Sequence, residues 1–325
     1  LSIVGGLYFT AYTLVAAPYN ALIPDLATNK EERLNLSTMQ STFRLIFTGV
    51  AMVLPGILIS KFGMVNGVMN TEVGIRKTVI LITILSVLGI YACVFFLKEK
   101  QLTQNRPKSE SLGFMKSVSH LKDKEIILYF LGYFFFFCGF NILRGDLTYY
   151  LSAVMQKDIK FLTVISVILF GMAGLFFPIT NKFGKKYSYK KVLIADMLLL
   201  IAGTFGLLFI NKNTSIFAYV FFIICGTGLS GAAFIFPQAM LSEISAKLSE
   251  TKKVSLEGFM FGIQGMFLKL AFLVQQVVQS TLLVVGNDNT EGVKGATELG
   301  VKVTLVVALI LFATSLFFYN LKKED

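Results

Sequence analysis

Nine long apolar stretches follow one another along the chain, and they restrict it to very few folds. A helix needs about 20 mainly apolar residues to cross the hydrocarbon core of a bilayer. One such stretch could be a buried helix of a soluble protein, but nine in succession, separated by short polar loops, are typical of an all-α polytopic membrane protein. We predict spans over residues 1–23, 39–60, 77–97, 126–150, 161–181, 191–210, 215–241, 256–284 and 301–320.

The amino-acid composition separates this chain from soluble proteins. Hydrophobic residues make up 55% and charged residues 15%, whereas soluble domains carry roughly 25% charged residues. Cys93, Cys138 and Cys225 lie inside apolar stretches without metal-ligand spacing, and His120 is the only histidine. A disulfide framework, a metal site and a membrane enzyme are therefore disfavoured, since an enzyme needs a cluster of acid–base or metal-binding groups. We expect no catalytic residue, no metal and no bound cofactor.

The distribution of basic residues predicts how the chain lies in the membrane. Most of the 30 lysines and arginines fall in one alternating set of loops and in the C-terminal tail, which the positive-inside rule places in the cytoplasm. The same asymmetry explains the net charge of +11 without a nucleic-acid partner. We therefore expect a multi-pass protein of the inner or plasma membrane with a cytoplasmic C-terminus.

The longest loop, residues 98–125, separates three predicted spans from six. Its first part has the composition of a flexible linker, and its second part is weakly amphipathic and suits the membrane surface. Two bundles of six helices would be symmetrical, so we infer that nine of an expected twelve helices are present. The predicted domains are the last three helices of an N-terminal bundle, a central cytoplasmic loop and a C-terminal six-helix bundle, at residues 1–97, 98–125 and 126–325. This is the layout of the major facilitator fold.

Two segments resemble one branch of the major facilitator superfamily. Residues 17–33 read APYNALIPDLATNKEER after a tyrosine at Tyr12, and residues 237–269 contain PQAM, the run Leu256-Glu257-Gly258 and Lys269. Both are similar to the glycoside–pentoside–hexuronide cation symporters, typified by the melibiose carrier. The resemblance implies a monomeric secondary transporter that moves a sugar, glycoside or sugar acid together with Na⁺ or H⁺ by alternating access. Its partners would be a small-molecule substrate and the lipid bilayer.

Lys269 is the strongest candidate for a functional residue. It lies about a dozen residues inside the eighth predicted span, where a charged side chain costs about 3 kcal/mol, and the apolar run before it is expected to break at Pro237. We predict that Lys269 orients substrate or couples cation binding to closure; the alternative is a lysine that snorkels to the membrane surface. One side of this helix carries small and polar residues that would let helices approach and line a cavity: Gly258, Gly262, Gly265, Lys269, Gln276 and Gln279.

Further candidates lie in the first, second and fourth spans. An ion pair between Arg144 and Asp146 would need a helix break at Gly145, since residues two apart face different sides; the alternative is that Arg144 faces the cavity. Asn141 matches a pattern of the family, from which Arg144 departs. The candidate substrate or coupling residues are Lys269, Arg144, Asn141, Tyr12, Asp146, Arg44 and Gln276.

Charged residues near the loop ends are predicted to form a cytoplasmic gate. Ion pairs there would close this side in one transport state and break when the two bundles rock; the alternative is a solvated loop whose ion pairs are weak. The candidate gate residues are Asp25, Glu31, Arg33, Glu243 and Glu257.

Prolines and a glycine predict where the chain turns. Pro18 and Pro24 are expected to end the first span and redirect the chain. Residues 181–186, NKFGKK, resemble the D-R-x-G-R-R element that major facilitator proteins carry between paired helices. In such an element Gly184 would allow a tight turn; a plain basic loop is an equally open interpretation.

The resemblance does not extend to every charge of the family. The family's fourth-helix aspartate would fall at Ala16, its aromatic sugar platform at Asn20, an arginine at Ser255 and a loop aspartate at Ala246. The other ligands of the coupling ion would belong to the absent helices, so neither sodium coupling nor a neutral disaccharide is implied. Three cations within spans favour an anionic substrate such as a hexuronide. A lipid or lysolipid transporter and a non-transporting sensor remain as alternatives.

Overall fold

The computed structural model describes residues 2–27, 29–65, 68–96, 123–157, 161–252, 256–286 and 295–321. The chain divides into two compact units, one of residues 1–39 and 109–325 and the other of residues 40–108. The predicted central loop, 98–125, lies outside the described residues except for its last three positions. The predicted three-part division of the chain stays a prediction.

Long helices make up nearly all of the described chain. In order they are α1 (Ser2–Ala21), α2 (Ile23–Leu26), α3 (Lys30–Gly63), α4 (Thr71–Phe96), α5 (Lys124–Tyr149), α6 (Phe161–Lys186), α7 (Tyr189–Leu207), α8 (Ala218–Leu229), α9 (Phe236–Lys252), α10 (Glu257–Leu282) and α11 (Glu298–Leu321). Two π-helical segments, Tyr150–Val154 and Ser230–Ile235, extend α5 and join α8 to α9, and a short 3₁₀ helix, Ser215–Phe217, precedes α8. The predicted all-α class is confirmed for the described residues, apart from one small hairpin between α3 and α4.

Six helical stretches among the described residues are long and apolar enough to cross a membrane. They are Thr71–Phe96, Lys124–Val154, Phe161–Lys186, Ser215–Thr251, Glu257–Leu282 and Glu298–Leu321. The other three predicted spans coincide with α1, α3 and α7, which do not belong to the six; α7, for example, carries Lys190, Lys191 and Asp196. The count of nine spans therefore stays a prediction.

Helices run further into two predicted loops than hydropathy indicated. α3 already begins at Lys30, after Asn29, whose side-chain oxygen accepts a hydrogen bond from the backbone N–H of Glu32 at 2.8 Å. α9 continues to Lys252. Much of loops 24–38 and 242–254 is therefore helical, because their glutamates, lysines and leucines are good helix formers whether or not they are buried.

Two prolines do not end helices where we predicted that they would. Pro18 lies inside α1, which continues to Ala21. Pro237 lies at the start of α9, in a helix that continues without interruption from the π-helical segment Ser230–Ile235. A proline lacks the backbone N–H that would donate a helical hydrogen bond. The wider π-helical turn before Pro237 lets the helix continue past this missing bond. Pro24, in contrast, stands at the start of the short helix α2.

Glycines set the tightest helix contacts of the first unit. A Cβ added at Gly139 of α5 would lie 2.9 Å from the ring of Phe312 in α11. A Cβ at Gly228 of α8 would lie 2.4 Å from the backbone carbonyl oxygen of Asp196 in α7. At Gly228 the two helix backbones approach directly, and at Gly139 the missing side chain leaves room for the Phe312 ring. The contacts fix α5 against α11 and α7 against α8, the helices that carry most of the polar groups described below.

The second unit contains the later part of α3, the hairpin and α4. The hairpin pairs β1 (Met64–Val65) with β2 (Val68–Met69) in antiparallel register. A Cβ added at Gly74 of α4 would lie 2.4 Å from the carbonyl oxygen of Ile59 in α3, so the two helices meet closely beside the hairpin. Most apolar side chains of α4 are exposed within the described structure, as expected of a helix that contacts lipid.

Candidate functional site

Lys269 connects two helices that are far apart in the sequence. It lies half-buried on α10 and donates a hydrogen bond from its ammonium group to the side-chain oxygen of Thr13 on α1. The ammonium is therefore held by a neighbouring helix, which a lysine that only snorkels to a surface would not require. This contact is a polar link between the start of the chain and its C-terminal helices.

The glycines beside Lys269 face open space rather than a packed helix. A Cβ added at Gly258, Gly262 or Gly265 would meet no described atom within 4 Å. Our expectation that these small residues let another helix approach stays a prediction. Within the described residues, this face of α10 is open beside Lys269.

The other residues predicted around Lys269 are placed differently from one another. Tyr12 precedes Thr13 on α1 and is exposed, and Gln276 is exposed on α10. Arg44 belongs to the second compact unit, where it is exposed and donates a hydrogen bond at 3.5 Å to Ser41. Lys269, Tyr12 and Gln276 thus share the first unit, while the role predicted for Arg44 stays a prediction.

Asp146 links three helices through its two carboxylate oxygens. Its Oδ1 accepts a hydrogen bond from the side-chain amide of Gln279 on α10 at 2.8 Å, and its Oδ2 accepts one from the hydroxyl of Thr304 on α11 at 2.6 Å. Gln275 donates to the amide oxygen of Gln279 at 2.6 Å and extends the network along α10. Asp146 is buried, so both oxygens of an interior carboxylate have donors.

Arg144 and Asp146 do not form an ion pair. α5 runs through Gly145 without a break, Arg144 is exposed and Asp146 points to Gln279 and Thr304. The glycine between them has a different function, because a Cβ there would lie 2.3 Å from the amide nitrogen of Gln279. Gly145 therefore lets the Gln279 side chain reach the carboxylate. Arg144 remains a cation on another face of α5.

Asn141 lies one helical turn before Asp146 on α5 and is buried. Its side-chain nitrogen has no hydrogen-bond partner among the described residues. A buried amide donor without a partner is costly and often marks a place where water or a ligand binds. The role predicted for Asn141 stays a prediction.

Sequence reasoning missed a second buried polar network near Pro237. The hydroxyl of Tyr129 on α5 donates to the carbonyl oxygen of Pro237 at 2.7 Å, and the amide nitrogen of Gln264 on α10 donates to the Tyr129 oxygen at 2.7 Å. All three groups come from different helices. A tyrosine and a glutamine inside apolar stretches were the available signal, since buried polar side chains in membranes require partners.

Ion pairs connect α3 to two C-terminal helices at the loop ends. Glu31 accepts a hydrogen bond from Lys185 of α6 at 2.8 Å, and Lys30 lies 3.1 Å from Glu243 of α9. The Lys30 ammonium also lies 4.7 Å from the ring centre of Tyr189, a cation–π distance. We call Lys30, Glu31, Lys185, Tyr189 and Glu243 the loop-end cluster. It joins segments from the two ends of the chain.

The remaining predicted gate residues are Arg33, Glu257 and Asp25. Arg33 is buried and donates to the carbonyl oxygen of Ala27 at 3.0 Å, which holds the turn between α2 and α3. Glu257 is buried at the start of α10, and Asp25 is half-buried in α2. Their predicted part in a gate stays a prediction.

Gly184 has a different role from the one predicted for the NKFGKK element. α6 continues through Gly184 to Lys186, so the glycine does not form a tight turn. A Cβ there would lie 2.9 Å from the side chain of Leu34, which is fully buried. Asn181 on the same helix donates to Thr38 at 2.7 Å. The element therefore brings α6 against α3 and presents Lys185 to Glu31.

Within the described residues, no group of three or more histidine, cysteine or acidic side chains is arranged to hold a metal ion. The polar groups instead form separate links between helices: Lys269 with Thr13, Asp146 with Gln279 and Thr304, and the loop-end cluster. Each of these links joins helices that are distant in the sequence.

Residues 2–323 match the family described as MFS/sugar transport protein. The chain belongs to this family, and it is an integral membrane protein of the major facilitator superfamily. Family membership points to a transporter rather than an enzyme. No curated protein matches the chain.

Proposed function

We propose that this protein is a secondary active transporter that carries a sugar, glycoside or sugar acid together with Na⁺ or H⁺ by alternating access. Membership of the sugar transport family supports the transport of a sugar-like solute. The observation that carries the proposal is the position of Lys269, which bonds to Thr13 of another helix beside an open, glycine-lined face of α10. The symporter branch typified by the melibiose carrier is the subfamily we propose.

Lys269 would act by responding to both substrate and conformation. Its ammonium donates a hydrogen bond to Thr13 on α1, so a substrate oxygen entering beside Gly262 and Gly265 would compete with that bond. A change in the Lys269–Thr13 contact would then alter how α1 and α10 are held together. Substrate binding and helix movement are coupled in this way because they share one charged group.

The loop-end cluster would be the closed gate of this conformation. Its pairs are partly exposed, with 28–66% of each side chain accessible, and such pairs contribute only about 0–1 kcal/mol each. A gate must open in every transport cycle, so weak pairs suit it better than a buried, fully desolvated pair would. In the proposed orientation this side of the protein faces the cytoplasm and the protein acts as a monomer in the plasma membrane.

Two cations outside the loop-end cluster, Lys269 and Arg144, favour an anionic substrate. Lys269 is half-buried and Arg144 is exposed on α5. A carboxylate is the sugar substituent that a lysine or arginine recognises most strongly. We therefore propose a hexuronide or a similar sugar acid rather than a neutral disaccharide.

Uptake into proteoliposomes containing the full-length protein tests this proposal. The three radiolabelled probes are methyl β-D-glucuronide, melibiose and lysophosphatidylcholine, each with an inward Na⁺ or H⁺ gradient. We expect the glucuronide to accumulate and an ionophore that dissipates the gradient to abolish accumulation. Accumulation of melibiose alone would replace the sugar acid by a neutral sugar, and transport of lysophosphatidylcholine alone would replace the sugar by a lipid. Absence of transport of all three probes would contradict the proposal.

A further inference from the structure

Asp196 is a buried carboxyl group that none of the interactions described so far uses. It lies on α7, seven residues after the helix begins, inside the predicted span 191–210. Its side chain is 7% exposed, and its Oδ2 atom has no hydrogen-bond partner among the described residues. A carboxylate whose charge is neither paired nor fully hydrogen-bonded is strongly disfavoured in an apolar interior, and such a group takes up a proton instead.

The surroundings of Asp196 come from the irregular part of the neighbouring helix. The carboxyl group lies against the backbone of Gly231, which belongs to the π-helical segment Ser230–Ile235. A Cβ added at Gly231 would lie 2.0 Å from Oδ2 of Asp196 and 2.3 Å from the ring of Phe236. The carboxyl group therefore fits directly against the backbone of a π-helical turn, a feature that is often found at functional sites.

Charged groups on the surrounding helices do not neutralise Asp196. Among the described residues, no ion pair joins Asp196 to its own helix or to the segments packed against it, which are α6, α8, α9, α11 and the π-helical segment. The titratable residues on these elements are Tyr189, Lys190 and Lys191 of α7; Lys182, Lys185 and Lys186 of α6; Tyr219 and Cys225 of α8; Glu243, Lys247, Glu250 and Lys252 of α9; and Glu298, Lys302 and Tyr319 of α11.

A proton fits this site better than a metal cation does. A bound Na⁺ ion would need several oxygen ligands directed at one point, but among the described residues Asp196 belongs to no group of three or more acidic, histidine or cysteine side chains. After Oδ2 of Asp196, the described atoms nearest to a Cβ added at Gly231 are carbon atoms of the Phe236 ring, at 2.3 and 2.6 Å. A protonated carboxyl group needs no further ligand and remains neutral among these apolar atoms.

One continuous helix connects this site to the loop-end cluster. The π-helical segment beside Asp196 leads directly into α9, which carries Glu243. Glu243 pairs with Lys30 at 3.1 Å. At the start of α9, the carbonyl oxygen of Pro237 also accepts the hydrogen bond from Tyr129. A change in the π-helical turn would therefore reposition a helix that takes part in the proposed gate.

Building on the cation-coupled transport proposed above, we propose that Asp196 is the proton-binding site of the transport cycle, protonated in this conformation and released to water when the π-helical segment Ser230–Ile235 rearranges. Uptake of a proton at Asp196 neutralises the carboxyl group and allows it to lie against Gly231. Loss of the proton leaves a carboxylate that favours a state in which the turn opens. The coupling ion is then H⁺, and α9 transmits the change to Glu243.

Infrared spectroscopy of the full-length protein in nanodiscs tests whether Asp196 holds a proton. We expect the wild-type protein at pH 7 to show the C=O stretching band of a protonated carboxyl group, and Asp196→Asn to lose that band. Asp123→Asn is the matched control, since Asp123 is an exposed helix-capping residue at the start of α5, and it should leave the band unchanged. Absence of the band from the wild type, or its persistence in folded Asp196→Asn protein, would overturn the proposal.

A second measurement distinguishes failure of the proton site from failure of the proposed transport function. In proteoliposomes, Asp196→Asn should still exchange methyl β-D-glucuronide across the membrane but lose accumulation driven by a pH gradient, by about 10-fold or more if one proton is coupled per substrate. Accumulation equal to wild type would overturn the coupling role. If wild-type protein transports no probe, the proposed function fails, while the infrared band still decides whether Asp196 binds a proton.

Discussion

Asp146 on α5 and Asp196 on α7 are both buried carboxyl groups, but their surroundings differ. Both oxygens of Asp146 accept side-chain hydrogen bonds, from Gln279 and Thr304. Asp196 lies against the backbone of Gly231, and its Oδ2 atom has no hydrogen-bond partner among the described residues. Burial alone therefore does not define what a membrane carboxyl group does. The number of donors around it distinguishes a group that links helices from one that holds a proton.

The stability of the folded protein should separate the two aspartates most strongly. Asp146→Ala removes the acceptor for two buried donors, and we expect it to lower the free energy of unfolding by about 1–3 kcal/mol for each donor left without an acceptor. Asp196→Asn should change it by less than about 1 kcal/mol or raise it, since it replaces a buried acid with one unpartnered oxygen by a neutral amide of the same shape. Unfolding of both variants in detergent by denaturant titration measures the difference. Equal losses would contradict the distinction.

The glycine beside each carboxyl group gives a second comparison. Gly145→Ala would place a Cβ 2.3 Å from the amide of Gln279, and Gly231→Ala would place one 2.0 Å from Oδ2 of Asp196. We expect each variant to lose about 1–3 kcal/mol of stability through overpacking. Gly231→Ala should also lose the infrared band of the protonated carboxyl group, whereas Gly145→Ala should keep it.

The matched control for these glycine variants is Gly89→Ala in α4. No described atom lies within 4 Å of a Cβ added at Gly89, so this change should be neutral or stabilise the helix by about 0.5–1 kcal/mol. Thermal unfolding of all three variants, read by circular dichroism, ranks them. A destabilised Gly89→Ala protein would show that the losses do not report packing against the carboxyl groups.

The ion pairs of the loop-end cluster should have the smallest effect on stability. A double-mutant cycle with Lys30→Ala and Glu243→Ala should give a coupling energy of about 0.2–1 kcal/mol, because both side chains are partly exposed. The coupling should decrease as salt is added. A value above about 3 kcal/mol, insensitive to salt, would mean that the pair is a buried structural link and not a gate that opens.

The sequence predicted the helices well because their signal is local. Apolar stretches of membrane length located α4, α5, α6, α8 with α9, α10 and α11, and the buried position of Lys269 indicated a polar partner. The helix ends at Lys30 and Lys252 were predicted poorly, since hydropathy reports where apolar residues stop and not where backbone hydrogen bonding stops. Pro18 and Pro237 were assigned breaks that the structure does not contain.

The hydrogen-bond partners could not be predicted, because they come from segments distant in the chain. Asp146 was selected from the sequence, but its bonds to Gln279 and Thr304 depend on how α5, α10 and α11 meet. Asp196 was passed over, although an acid inside an apolar stretch was a visible signal. Its significance depends on Gly231, whose neighbours only the fold reveals. The hydrogen-bond partners and the exposure of a side chain depend on how the helices pack, so the sequence alone did not predict them.

The central claim is that this family member is a transporter whose Lys269 acts on substrate or coupling. The most direct test is substrate uptake by the Lys269→Ala variant. Full-length wild-type and variant proteins are reconstituted equally, and methyl β-D-glucuronide uptake is measured under an inward proton gradient. We predict accumulation by wild type and a loss of about 10- to 100-fold in Lys269→Ala, the range expected when a hydrogen bond to a charged group is removed. Lys302→Gln, which removes a lysine paired with Glu298, should accumulate substrate like wild type. Equal accumulation by wild type and Lys269→Ala would contradict the account.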